Sequence, residues 1–208
     1  MNLSNILRAA LTAGLAMFAV SCNTPTGSSG GRMTSDKFDP PAHRPQNSSA
    51  VRVKLSTGAQ RLYVTEGSRV LLATPCSVGA ASSPTPQGNF RIYSKDANHR
   101  RASSPGAGYP MTYWMEFKTA YGMHWGFIKP YPCTHGCVRL PMKSAAKAFA
   151  MIPSGTPLSI SSSQPEDATV GRSLPVLDDS ALPNPPDSYL MGPRWYEDAK
   201  YKGNMFVD

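Results

Sequence analysis

The run Cys133-Thr134-His135-Gly136-Cys137-Val138-Arg139-Leu140, with His124 upstream of it, contains the parts of a cysteine acyl-transfer site. A free thiol is mostly protonated at neutral pH, and the thiolate is the nucleophile, so a working cysteine needs a base or a cation beside it. His124 can serve as that base for Cys137. Gly136 has no side chain to obstruct an approaching carbonyl, and the N–H groups of Gly136 and Cys137 are candidates for holding a developing oxyanion. His135 is a candidate for catalytic support, and Arg139 for gripping a carboxylate. Thr134 and Trp125, next to these groups, are candidates for substrate contact.

Other uses of the same residues are open on sequence grounds. Cys133, His135, Cys137 and His124 form a thiolate and imidazole set of the kind zinc takes, with the alternating Cys-x-His-x-Cys on one side of a strand. Structural zinc sites use pairs separated by two to four residues, which this run lacks, so no metal and no organic cofactor is expected. A Cys133–Cys137 disulfide in an oxidising compartment would remove the nucleophile and act as an off-state. Cys76 reads as a packed thiol at a strand end, His43 and His99 as solvated loop residues, and Tyr113, Trp114 and Met115 as core.

The elements that must position the site are legible around it. Val51–Leu55 and Arg61–Val64 alternate as strands, with Gly58 as a turn between them. Val70–Ala73, Asn89–Tyr93, Tyr113–Phe117 and Pro157–Ile160 are further strand candidates. Met142, Ala145, Ala146 and Phe149 fall at helical spacing just after Pro141, which predicts one short helix behind the motif.

The flanks differ in kind. Residues 1–21 have the layout of a secretory signal peptide: a basic start, an apolar run over Ala9–Val20 too short to span a bilayer, then small residues. Ala19-Val20-Ser21-Cys22 resembles the bacterial lipobox, which makes Cys22 the expected lipidation site and membrane anchor. Residues 22–49, rich in Ser, Gly and Pro, read as a flexible tether with a reach of roughly 30 Å. Residues 50–160 are long enough for one core of ordinary size. Residues 161–208 read as a Pro-rich, acidic C-terminal tail that runs over the surface and lies along the basic catalytic domain, with Trp195, Tyr196, Tyr201 and Phe206 as apolar anchors.

Four stretches within 50–160 carry a resemblance to the L,D-transpeptidase catalytic domain of the YkuD type. Val51–Thr57 with Gln60–Val64 resembles its first hairpin, and Ser83-Pro-Thr-Pro-Gln-Gly-Asn-Phe90 its Thr-Pro-x-Gly-x-Phe turn. Tyr113-Trp-Met with Met123-His124, and Tyr131–Pro141, resemble its active-site run, with Thr134 where serine is commoner and Cys133 as an additional thiol. The resemblance implies a mainly β fold, an L,D-transpeptidase-like β-sandwich with one short helix after the motif. It implies attack by Cys137 on a peptidoglycan stem, loss of the terminal D-alanine, and transfer of the acyl group to an amine. Transfer to water would make an L,D-carboxypeptidase. It also implies that the carbonyl of Trp125 orients His124, which would protonate the leaving amine.

Charge fits such a partner. The whole chain carries a net +8. Residues 22–160 hold 16 basic and 5 acidic side chains, and 161–208 hold 4 and 8. A basic body suits anionic wall polymer or a membrane surface. Nucleic acid is not expected, because the chain has an export signal and no aromatic-basic binding motif. The expected location is the periplasm or cell envelope. A non-catalytic wall-binding lipoprotein with this fold is the reading from a different class; oligomeric state is not legible.

Overall fold

The computed structural model describes residues 32–101 and 108–208. The signal segment and Cys22 lie outside them. Among the described residues no helix is long and apolar enough to cross a membrane.

Nine strands form two sheets. The first has the order β3-β2-β1-β9-β4, built from β1 (Val51–Ser56), β2 (Arg61–Glu66), β3 (Arg69–Pro75), β4 (Gly88–Arg91) and β9 (Pro157–Ser161). The second has the order β5-β6-β7-β8, from β5 (Ser94–Asp96), β6 (Trp114–Lys118), β7 (Tyr121–Trp125) and β8 (Val138–Leu140). The expected mainly β architecture is what forms. Alternation drives it: Val51, Val53 and Leu55 of β1 point into the core while Arg52 stays exposed. Val64, Leu72, Met115, Met123, Val138, Leu140, Leu158 and Ile160 complete one cluster shared by both sheets.

The helix α1 (Met142–Met151) follows β8 directly, entered through Pro141 and packed on Ala145, Ala148 and Met151. Its last turn leaves carbonyls with no partner inside the helix. Lys95 Nζ satisfies two of them, donating to the carbonyls of Phe149 and Ile152, each at 2.7 Å. On the opposite face, Thr74 Oγ1 donates to Ser144 Oγ at 2.8 Å inside the core.

Strand β2 is buried on both faces, which its amphipathic pattern does not predict. The reason is the C-terminal segment. Short 3-10 turns at Pro165–Ala168 and Val170–Ser173 cover its outer face, and Tyr63 Oη donates to Asp167 at 2.7 Å. The segment continues through α2 (Asp187–Met191) and α3 (Arg194–Asp198), which bury Leu190 and Trp195. It is therefore a packed layer.

The residues from 32 to 49, expected to belong to a tether, also pack. Ala42 is fully buried, and Phe38 joins a small cluster with Ile128 and Leu177. Asp179 gathers the Ser35 N–H and hydroxyl and the Ile128 N–H, each at 2.7 Å. Composition suggested a free linker here because the few apolar anchors are widely spaced.

Candidate functional site

Strands β7 and β8 run parallel, with Met123 opposite Val138 and His124 opposite Arg139. Side chains paired across a parallel ladder point to the same side, and they alternate along each strand. His124 and Arg139 thus share a face, and Cys137, two residues before Arg139, shares it with them. The N–H of Gly122, two residues before His124 on β7, bonds the Cys137 thiol and so ties it to the strand that carries the histidine. Gly122, also on this face, leaves its side-chain space to the Trp114 ring, which lies 2.6 Å from where a Cβ would stand.

His124 is buried, at 5% exposure. Its Nδ1 bonds the Trp125 carbonyl at 2.5 Å. A carbonyl only accepts, so Nδ1 carries the proton, and the neutral ring leaves Nε2 as a bare acceptor. Burial pushes the imidazole down to about 4, with Arg139 and His99 acting in the same direction and the Trp125 bond opposing. Burial raises the Cys137 thiol, partly offset by the Gly122 N–H and the Arg139 charge. The resting pair is therefore a neutral thiol beside a neutral imidazole. The thiol points at the Ala120 carbonyl, 3.7 Å away.

The loop before Cys137 is held by hydroxyls. Thr134 Oγ1 donates to the Cys137 carbonyl at 2.6 Å and accepts the Gly136 N–H at 3.1 Å. Thr85 Oγ1 donates to the Gly136 carbonyl and accepts the Gly79 N–H, both at 2.9 Å. Gly136 sits at φ +107°, and a Cβ there would lie 2.5 Å from Tyr121 Cε1. Only glycine fits both demands.

Several expectations change. The Gly136 N–H donates to Thr134, which leaves the Cys137 N–H, for which no hydrogen bond is found among the described residues, as the free candidate of the pair. Thr134 is 3% exposed and braces the loop, so it is not placed to touch a substrate. Trp125 is also core: its ring packs on Trp195 at 4.4 Å and on Tyr109 at 5.8 Å, and only its carbonyl serves the site. His135 is exposed and makes no hydrogen bond among the described residues, so no contact ties it to Cys137. His99 is not a free loop residue, since it stacks on Trp114 at 4.7 Å.

Arg139 makes no ion pair among the described residues. Its aliphatic stem lies over Gly126, and its charge acts on Cys137, His124 and Tyr109. The Cys-x-His-x-Cys run is loop and not strand, so its side chains do not line one face, and among the described residues no three His, Cys, Asp or Glu side chains gather as a metal site. Cys76, Cys133 and Cys137 are free thiols. A groove away from this site runs over β1, β4 and β9 beside Arg52, Lys54 and Arg91, and has no cysteine or histidine in its lining.

Sequence reasoning missed Thr85, Tyr121, Thr112 and Trp195 as parts of this arrangement. Thr85 had a signal, because it sits in the Pro-Thr-Pro turn before Gly88. Trp195 stands out in the sequence as an aromatic anchor of the tail, but nothing there points to Thr112 and Trp125 as what it meets.

The two-sheet β fold thus sets a Nδ1-anchored histidine on β7 and a free cysteine directly before the adjacent parallel strand β8. The model of the YkuD family, the L,D-transpeptidase catalytic domain, matches residues 50–160, and the chain belongs to that family. YkuD of Bacillus subtilis is 29% identical over 113 residues, covering 52% of this chain and 64% of that protein. YkuD of Bacillus licheniformis is 28% identical over 114 residues, with the same two shares. The chain thus spans just under two thirds of the length of these curated relatives. The solved L,D-transpeptidase of Xylanimonas cellulosilytica superposes with a TM-score of 0.50 at 24% identity, over 57% of this chain and 63% of that one, a likeness of fold.

Proposed function

We propose that this chain is a peptidoglycan L,D-transpeptidase in which Cys137 is the nucleophile and His124 its base. One observation carries the reading: the Trp125 carbonyl fixes the proton on Nδ1, which leaves Nε2 bare on the face shared with Cys137. The thiol proton passes to Nε2 as sulfur bonds to the carbonyl carbon of the third stem residue. The Cys137 N–H faces the developing oxyanion. The tetrahedral intermediate collapses, the C–N bond breaks, and the imidazolium returns its proton to the departing D-alanine amine. An acceptor amine then attacks the thioester, gives up a proton to His124, and releases Cys137.

Arg139, a cation with no carboxylate partner on this face, suits a carboxylate of the stem. Export, and attachment to a membrane through a lipidated Cys22, belong to the same proposal and rest on the sequence of residues 1–22. Hydrolysis to a tripeptide is the competing outcome for the same thioester. The test is mass analysis of products from purified protein and a disaccharide-tetrapeptide, with and without added acceptor amine. Cross-linked product with loss of D-alanine supports transfer. Tripeptide alone makes the chain an L,D-carboxypeptidase, and unchanged substrate under all conditions refutes the proposal.

A further inference from the structure

The C-terminal layer lies outside the residues the family model matches, yet it reaches the backbone that orients His124. Trp195 Nε1 donates to Thr112 Oγ1 at 2.8 Å. The Thr112 carbonyl accepts the Trp125 N–H at 2.9 Å. The Trp125 carbonyl accepts from His124 Nδ1 at 2.5 Å. The Trp195 ring also packs directly on the Trp125 ring.

We propose that Trp195 is a positioning residue for His124, acting through Thr112 and Trp125. The proposal rests on the reading of His124 as the base.

Ordinary sheet pairing does only part of this work. The ladder between β6 and β7 begins at Met115 and Met123, so Trp125 lies beyond its end. Strand β8 is three residues long and pairs Trp125 only through its last residue, Leu140. The peptide that carries the Trp125 carbonyl is held on its other side by the Gly126 N–H, which donates to the Leu140 carbonyl at 3.1 Å, while the preceding peptide is held by Thr112 and the whole residue by the packing of its indole. Thr112 lies between β5 and β6, in a segment tied to residues 97–101 through the Met111 N–H to the His99 carbonyl at 2.8 Å and the Tyr113 N–H to the Ala97 carbonyl at 3.0 Å.

The C-terminal layer holds that segment at several points. Arg100 donates to the carbonyls of Leu190, Met191 and Gly192. Tyr196 Oη donates to the His99 carbonyl at 3.1 Å, and Tyr113 Oη to the Ala199 carbonyl at 3.1 Å. Trp195 sits at the centre of these contacts and is 7% exposed. Loss of its ring would open space beside Trp125 and leave Thr112 Oγ1 without its donor, so the carbonyl facing Nδ1 could swing.

The groups facing His124 are Arg139 from β8, His99 from the segment after β5, and Cys137 from the loop before β8, with Glu116 of β6 acting on Cys137. No acid of the C-terminal layer pairs with the ring, so Trp195 works by packing and hydrogen bonding, not by charge.

The test uses the full chain as wild type, Trp195→Ala, Trp195→Phe and Thr112→Val. Nitrogen NMR reads the His124 tautomer and titration, and the acylation rate is measured with a tetrapeptide stem. In Trp195→Ala the Nδ1–H tautomer gives way to a mixture, and the midpoint falls further below about 4, because the Trp125 bond that holds it up is weakened. Acylation falls roughly tenfold to a hundredfold, in kcat more than in KM. Thr112→Val, which keeps the shape and removes the hydroxyl, shifts the same signals by less, and Trp195→Phe stays nearest wild type. If Trp195→Ala does not fold, the other two variants decide. An unchanged tautomer and midpoint in Thr112→Val and in every folded Trp195 variant would overturn the proposal. A shifted tautomer in a chain with no acyl transfer even as wild type would keep the positioning and discard the enzymatic reading.

Discussion

The Thr85 hydroxyl donates to the Gly136 carbonyl at 2.9 Å and at the same time accepts the Gly79 N–H. One buried side chain thereby joins the turn before β4 to the residue preceding Cys137. A buried hydroxyl with both roles filled is expensive to remove, since deleting it leaves two backbone groups unsatisfied. Thr85→Val should lower stability by about 2 kcal/mol, read as a drop in Tm. It should slow acylation of Cys137 roughly tenfold, and Thr85→Ser should recover most of both. Wild-type rates in Thr85→Val would separate this turn from the site.

His124 makes stability depend on pH in a defined direction. Folded, the ring titrates near 4; unfolded, near 6.5. Between those values the unfolded chain binds more protons, so stability rises with pH there. It is fully present above 6.5, falls as pH drops toward 4, and the loss levels off below that. The full swing is about 3 kcal/mol. Denaturant titrations from pH 4 to 7 on wild type and His124→Gln check it, and the difference between the two chains should carry this slope. Parallel curves would mean that the ring is protonated as easily when folded as when free.

Gly136→Ala should be the most damaging small substitution near Cys137. The residue holds φ +107°, and the new methyl would meet the Tyr121 ring. Backbone strain of about 1–3 kcal/mol is expected, with displacement of the Cys137 N–H. Acylation should fall by about a hundredfold or more while circular dichroism retains the β signature. A relieving Gly136→Ala, Tyr121→Ala double variant should recover packing but not φ, so its activity should stay low.

Asp179 joins the two ends of the described chain. It is 2% exposed and accepts three hydrogen bonds, from Ser35 and Ile128. Asp179→Ala should cost about 3 kcal/mol and free the segment from 32 to 49 for proteolysis. Equal cleavage rates in wild type and variant would mean that this segment is held by its other contacts, such as buried Phe38 and Ala42 and the Lys147 bonds to Asp39 and the Pro40 carbonyl.

The sheets were legible where alternation is clear, as in Val51–Leu55 and Arg61–Val64. The two strands that carry the site were not. Tyr121-Gly-Met-His-Trp contains a glycine and a histidine, and Val138-Arg-Leu is too short for a pattern. Cys137, His124 and Arg139 stood out by residue type, and the Trp125 carbonyl through family resemblance. Thr134 and Trp125 were misread as substrate contacts because sequence position says nothing about which side of a loop or strand faces solvent. The packing of residues 32–49 was hidden for another reason: its anchors are single residues such as Phe38 and Ala42, spaced too widely to form a period.

The most direct measurement is peptide mapping of the acyl adduct formed when the purified chain meets a tetrapeptide donor without acceptor. The account predicts a single adduct on Cys137, with one D-alanine released per thioester formed, absent from Cys137→Ala and at least a hundredfold slower to form in His124→Gln. An adduct on Cys133 or Cys76, or D-alanine release that persists in Cys137→Ala, would contradict it.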